Sequence, residues 1–207
     1  MAQTVGEMSG RTSVDSILSS ALNLIIELGY SAMSMRCLAR HLGLQPGSIY
    51  HHFDSKADVL DQVIESVIDR RFYSWQRAKP KRANALDLLE HFVAFHVRHQ
   101  WLFGIEDNLI LAELRHLDDA RRAALNAELE KYGNEAAALI AACRGGSSGT
   151  LDTRFRAAGM LSLLDGATQF HRINSPDSSH RVAHVMFQLT CRLLDIDHRG
   201  KGVVSVK

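Results

Sequence analysis

Ala39, Gly43 and Ile49 stand four and six positions apart between two short runs of helical apolar periodicity, a combination that few backbones satisfy. A helix-turn-helix does. It needs a small residue where its helices cross, a residue that accepts left-handed backbone at the turn, and an apolar plug in the second helix. Ahead of the turn, Ser34 is placed to cap a helix about two turns long, with Met35, Leu38, Ala39 and Leu42 on its apolar side and Gly43 closing it. Beyond it, Pro46 suits the first turn of the next helix, where a proline sacrifices no helical hydrogen bond, and Gln45 takes the cap. A preceding helix is expected from Ile17, Ala21, Leu24, Ile25 and Leu28, entered through a Thr12–Asp15 capping box and ended by Gly29.

The first residues of a recognition helix face base edges in the major groove. Here they are Gln45, Pro46, Gly47 and Ser48, with Tyr50, His51 and His52 one turn on. Gln and Ser donate or accept toward base edges, Gly47 permits close approach of the backbone, and Tyr50 and the histidines reach phosphates or stack on sugars and thymine methyls. Ser55 and Asp58 form a second capping box that leaves Lys56 in the first turn of helix four, where free amides and the lysine charge hold one phosphate together. Ser34 and Arg36, opening helix two, are a similar anchor.

The run Tyr50-His51-His52-Phe53-Asp54-Ser55-Lys56 resembles the signature of the TetR/AcrR family of bacterial transcriptional regulators, and the segment from Arg11 to Glu65 follows that family's DNA-binding domain throughout. The resemblance implies an all-α protein of about nine helices: an N-terminal three-helix helix-turn-helix domain, then a helical domain for effector binding and dimerisation. It also implies a repressor released from a palindromic double-stranded operator by a small molecule, and a homodimer through the last two helices, about 151–173 and 177–195. The expected division is a disordered arm over 1–10, the head over 11–56, the effector and dimer domain over 57–198, and a flexible tail over 199–207.

One usual footprint of a DNA binder is missing. Between residues 11 and 60, Arg11, Arg36, Arg40 and Lys56 balance Asp15, Glu27, Asp54 and Asp58, so attraction must come from a few placed cations and helix ends. Three prolines in 207 residues and no strand-like alternation agree with an all-α fold. The first ten residues have neither a basic start nor an apolar run, and no apolar stretch of about twenty residues is present, so a cytoplasmic protein is expected. Cys37, Cys143 and Cys191 are scattered without any Cys-x-x-Cys pairing, so structural disulfides are not expected, and Cys37 reads as buried.

In the second half, helix four is expected to run to about Trp75, a fifth helix from Ala83 to His99, another over Trp101 to Leu117 interrupted by Gly104, and a long one from Asp119 to Arg144. Phe72, Trp75, Phe92, His96, His99, Phe103, Glu113, Tyr132 and Phe170 are the candidate ligand residues, because a small-molecule site is mostly apolar with a few polar groups. Glu113-Leu-Arg, Arg121, Tyr132 and the Gly-rich loop are similar to regulators of lipid, steroid or aromatic degradation that sense acyl-CoA thioesters. That branch often carries Arg-Trp-Tyr-Arg where this chain has Gln169-Phe-His-Arg172, so an apolar effector is the firmer expectation. No cofactor and no structural metal are expected.

Two rivals have sequence support. Eleven histidines, including His96 and His99 on adjacent turns with His91 and His116 nearby, raise a metal sensor. Gly145-Gly-Ser147-Ser-Gly149 satisfies the G-x-S-x-G of a hydrolase elbow, which requires a strand before the serine, whereas an alanine-rich helical pattern leads in here.

Overall fold

The structure, a computed structural model, describes residues 13–174 and 179–197, with side chains over 13–167 and 179–197. Among these, eight α-helices and one 3-10 turn form and no strand does. The helices are α1 (Val14–Leu28), α2 (Met35–His41), α3 (Pro46–Tyr50), α4 (Lys56–Ala78), α5 (Ala85–Ala112), α6 (Asp119–Arg144), α7 (Leu151–Asn174) and α8 (Ser179–Leu193), with the 3-10 turn at Glu113–His116. None is long and apolar enough to cross a membrane among the described residues.

Local signals explain the first half. The cap of α1 is Ser13, whose hydroxyl accepts from the Ser16 amide at 3.2 Å; the expected Thr12–Asp15 box rests on Thr12, which lies outside the described residues. Gly29 follows at φ 78°. Ser34 caps α2 by accepting from the Cys37 amide at 3.1 Å. At its far end Gly43 takes φ 68°, and the Leu44 and Gly43 amides donate to the Ala39 and Arg40 carbonyls. This is the left-handed closure that favours glycine.

Helix α4, about 34 Å long at 1.5 Å per residue, runs through two apolar cores. Its Val59, Leu60, Val63 and Ile64 pack with Ile17, Leu38, Ala39, Ile49 and Phe53, while its Trp75 packs with Phe92, Tyr132, Met160 and Leu164. Ile110, Leu117 and Leu125 belong to the first of these cores, so the end of α5 and the start of α6 pack onto the three-helix head.

Helix α5 corrects the sequence expectation of two helices over 83–117. It is one helix of 28 residues, packed against α4, α6, α7 and α8. Gly104 does not interrupt it. A methyl group there would collide with the Gln100 side-chain amide, which lies across the glycine. The propensity cost of about 1 kcal/mol relative to alanine goes with a place for that amide.

Cys37, expected to be buried, is only partly so, as is Cys143; Cys191 is buried. In the α6–α7 loop, Ser147 accepts from the Gly149 amide and from Thr153 through its own carbonyl, and α6 leads in from Asp119 to Arg144. The strand of a nucleophile elbow has no counterpart among the described residues.

Candidate functional site

Two regions gather the candidate residues. The first is the outer surface of α3. Ile49 is fully buried and Phe53 is 2 % exposed, so they anchor the turn, whereas Tyr50 is 52 % exposed and points outward. Gln45, Gly47, His51 and His52 are exposed beside it, with Pro46 and Ser48 half-buried. Ser34 and Arg36 at the start of α2 are exposed too. The surface therefore presents amide, hydroxyl, imidazole and bare backbone, with no acidic side chain on α3 itself.

Lys56 stands differently from the simple phosphate anchor that its position suggests. Its Nζ donates to the Ser31 carbonyl at 3.2 Å and sits 4.1 Å from the centre of the Tyr30 ring. Desolvation lowers its pKa, and Glu113 opposes that shift. Ser55 accepts from the Asp58 amide and returns its own hydroxyl proton to the Asp58 carboxylate at 2.9 Å, which holds the first turn of α4 in place.

Glu113 belongs to this corner and not with the other candidate ligand residues. Its Oε1 accepts from the Tyr30 amide at 3.5 Å, and its Oε2 lies 3.1 Å from His116, whose ring is 5.1 Å from that of Tyr30. Asp61 on α4 pairs with Arg121 on α6 at 2.7 Å. The 3-10 turn and the start of α6 thus hold the head from one side.

The second region is a cavity of about 120 Å³ between α4, α6 and α7, lined by Arg71, Phe72, Leu129, Tyr132, Leu161 and Asp165 among others. Of the expected ligand residues whose side chains are described, only Phe72 and Tyr132 line it. Trp75 and Phe92 are fully buried core, in edge contact at 5.0 Å, and the Trp75 indole donates to Glu135 at 3.2 Å. His96 lies behind Tyr132; His99 and Phe103 meet in a tilted contact at 5.1 Å farther along α5; the Phe170 side chain lies outside the described residues. A second recess, about 210 Å³ between α4, α5 and α8, has Trp75 and Phe95 at its base, but its ionisable members His91, Arg98 and His180 are all exposed.

Two polar chains cross the core. Fully buried Asp107 accepts from Arg70 at 2.6 Å, Arg71 at 3.2 Å and His99 at 2.9 Å. Burial pushes its carboxyl upward; the hydrogen bond from His99 and the two arginines outweigh that and hold it below the ordinary value. The other chain is Tyr132, His96 and Asp165, with steps of 3.1 and 3.0 Å, and Gln100 also donates to Asp165. The two histidines thus serve different carboxylates, and no three metal-binding side chains converge among the described residues.

Arg70, Arg71, Gln100, Asp107 and Asp165 escaped the sequence reading. The signal was a polar stripe through apolar α5, where His96, Gln100, Gly104 and Asp107 recur at helical spacing, with Asp165 set among Leu161, Leu164 and Ala167 on α7.

His96 gives a pH prediction. Burial lowers its pKa, with the bond to Asp165 partly opposing. A base held neutral in the fold takes up protons more readily when unfolded, so its contribution is fully present above the unfolded value of about 6.5 and is lost as pH falls below it, at up to about 1.4 kcal/mol per pH unit. The unfolding midpoint should therefore drop between about pH 6.5 and 5 more steeply in the wild type than in His96→Gln. Equal slopes would remove His96 from the account.

Comparison with known proteins agrees with this architecture. Residues 17–63 match the family model described as bacterial regulatory proteins, tetR family. The repressor KstR2 of Rhodococcus jostii is 31 % identical over 90 residues, an alignment covering 44 % of this chain and 43 % of that protein. Thus less than half the length of that relative is matched. The structure of a regulatory protein of the tetR family from Rhodococcus RHA1 superposes with a TM-score of 0.75 at 19 % identity, covering 92 % of this chain and 100 % of that one. The structure of the ketosteroid transcriptional regulator KstR2 of Mycobacterium tuberculosis gives 0.69 at 18 % identity, over 95 % and 100 %. At such identities the likeness of structures concerns the fold alone.

Proposed function

We propose, from the premise that this chain belongs to the tetR family of bacterial regulatory proteins through its amino-terminal head, that it is a ligand-responsive repressor. It binds a palindromic DNA operator as a homodimer. The observation that carries this reading is the α3 surface: Ile49 and Ala39 are fully buried beneath it, leaving Gln45, Gly47, Tyr50, His51 and His52 exposed together. A helix held in this way enters a major groove with its first turn against the bases.

Paired heads need a fixed separation, and the last two helices offer the surface for it. On α8, Val182 and Met186 face the subunit core, while Val185, Leu189 and Leu193, at steps of four, are 48, 40 and 51 % exposed. On α7, Leu151 and Phe155 are 70 and 69 % exposed, and the small residues Ala158, Ser162 and Gly166 continue the same side. An apolar stripe with small residues permits close helix approach, and a two-fold dimer covers it with its own copy.

The division into head, over about 11–56, and effector and dimer domain, over about 57–198, is part of the same reading. Regulation follows by linkage. An effector bound beside α4 shifts the head only if it binds the DNA-fitting and DNA-releasing states unequally. Helix α4 spans both cores, and the Tyr30–Glu113 and Asp61–Arg121 contacts tie the head to the effector side.

Fluorescence anisotropy with a bound duplex, titrated at rising salt, tests the reading. Lys56→Ala should weaken binding to all sequences alike and reduce the slope of log K against log salt by about one, while ligand affinity stays unchanged. An unaltered affinity and slope would remove the phosphate contact from Lys56 and leave it the tether of Ser31 alone.

A further inference from the structure

Resting on this ligand-responsive reading, we propose that the effector is a compact molecule, an apolar body the size of one benzene ring bearing a strong hydrogen-bond donor, ammonium or hydroxyl, that Asp165 receives. Size comes first. The cavity beside α4 measures about 120 Å³. An enclosed apolar cavity of about 150 Å³ holds benzene, whereas sites for drug-sized ligands begin near about 300 Å³. This space is of the former order but is not closed off from solvent, and Asp165 in its lining is 39 % exposed, which leaves room for a short polar arm beside one ring. A coenzyme A thioester enters only if the helices part. Phe72, Leu129 and Leu161 give the space its apolar walls.

The polarity of the site follows from the chain behind it. A carboxylate oxygen accepts, so His96 carries its proton on Nε2, 3.0 Å from Asp165 Oδ1. In a neutral imidazole the other nitrogen then accepts, and the Tyr132 hydroxyl donates to Nδ1 at 3.1 Å. Gln100 Nε2 donates to the same Oδ1. Both buried donors are thus spent on one oxygen. Asp165 Oδ2 has no protein donor among the described residues, and the side chain, 39 % exposed, lines the cavity.

Arg71, also in the lining, does not reverse this preference. Its guanidinium is bonded at 3.2 Å to fully buried Asp107, which it shares with Arg70, and Glu106 at 3.5 Å from Arg70 is the second carboxylate that balances the two arginines. Glu128, the other carboxylate of the lining, is likewise paired, with Lys131. A ligand with only acceptors leaves Oδ2 desolvated and unpaired, which disfavours it, and an anion also meets the Asp165 carboxylate.

Calorimetric titration of the full chain with benzylamine, benzyl alcohol, toluene and benzoate tests the inference. At least one of the two donors should bind about tenfold or more tighter than toluene and benzoate. The two donor arms separate ammonium from hydroxyl. In Asp165→Asn the remaining oxygen keeps His96 and Gln100, an amide NH₂ replaces Oδ2, and the preference should vanish or pass to benzoate. Leu161→Trp, which fills the space, should abolish binding of all four while DNA binding persists. Toluene or benzoate binding as well as the better donor, or a donor preference that survives Asp165→Asn, would overturn it. DNA binding is read separately: donor selectivity in a protein that binds no DNA sinks the regulator reading alone, and release from DNA by acceptor-only ligands sinks this inference alone.

Discussion

Asp107→Ala should lower the stability of this protein by about 3–5 kcal/mol, the range for removing one partner of a buried ion pair. Asp107 is fully buried and accepts from Arg70, Arg71 and His99. Alanine takes the buried counter-charge from two guanidinium groups, 26 and 14 % exposed, leaving Arg70 only its 3.5 Å contact with Glu106, and Arg70 Nε already has no partner. At about 2–4 °C per kcal/mol for a chain of this size, the unfolding midpoint should fall by roughly 6–20 °C. Asp107→Asn, which keeps the shape and loses the charge, should lie between. The exposed Lys131–Glu128 pair is the internal control, since such pairs contribute about 0–1 kcal/mol. A loss for Asp107→Ala no larger than for Glu128→Ala would mean that the network around α5 does not hold α4 in place.

Gly47→Glu should reduce operator affinity at least about 100-fold without lowering the unfolding midpoint, which should hold or rise slightly. Gly47 is exposed in the first turn of α3, and a side chain there meets no atom within 4 Å. A carboxylate near a helix N-terminus is favourable to the free protein. Bound DNA would bring phosphates and base edges against it, and like-charge contacts at an interface cost several kcal/mol. Anisotropy and thermal unfolding of the same preparation separate the two effects. Affinity within threefold of wild type would place the DNA on another surface.

The head was legible because its signals are local. Ser34, Gly43, Pro46 and Ser55 act within four residues of their own positions, through caps and a left-handed turn, and each does so in the structure. Helix α5 was misjudged at Gly104, where a residue that weakens helices by propensity leaves room for the Gln100 side chain across it. The ligand candidates fared less well for the same reason. Aromatic residues such as Trp75 and Phe92 announce burial without saying whether they fill a core or line a space; here Phe92 fills the core, while Trp75, equally buried, also floors the second recess. The polar groups in and behind the cavity wall meet across the chain: His96 and Asp165 are 69 residues apart, Arg71 and Asp107 36. Spacing along one helix exposes half of such a pair and says nothing of its partner.

Selection of bound duplexes from a randomised pool, at low ionic strength and with the full chain, tests the central claim most directly. Two heads presenting α3 to successive grooves should enrich one two-fold symmetric site, its halves centred about one helical turn, roughly 10–10.5 base pairs, or a multiple of it apart. Recovery of no preferred sequence, or of a single unrepeated half, would contradict the account.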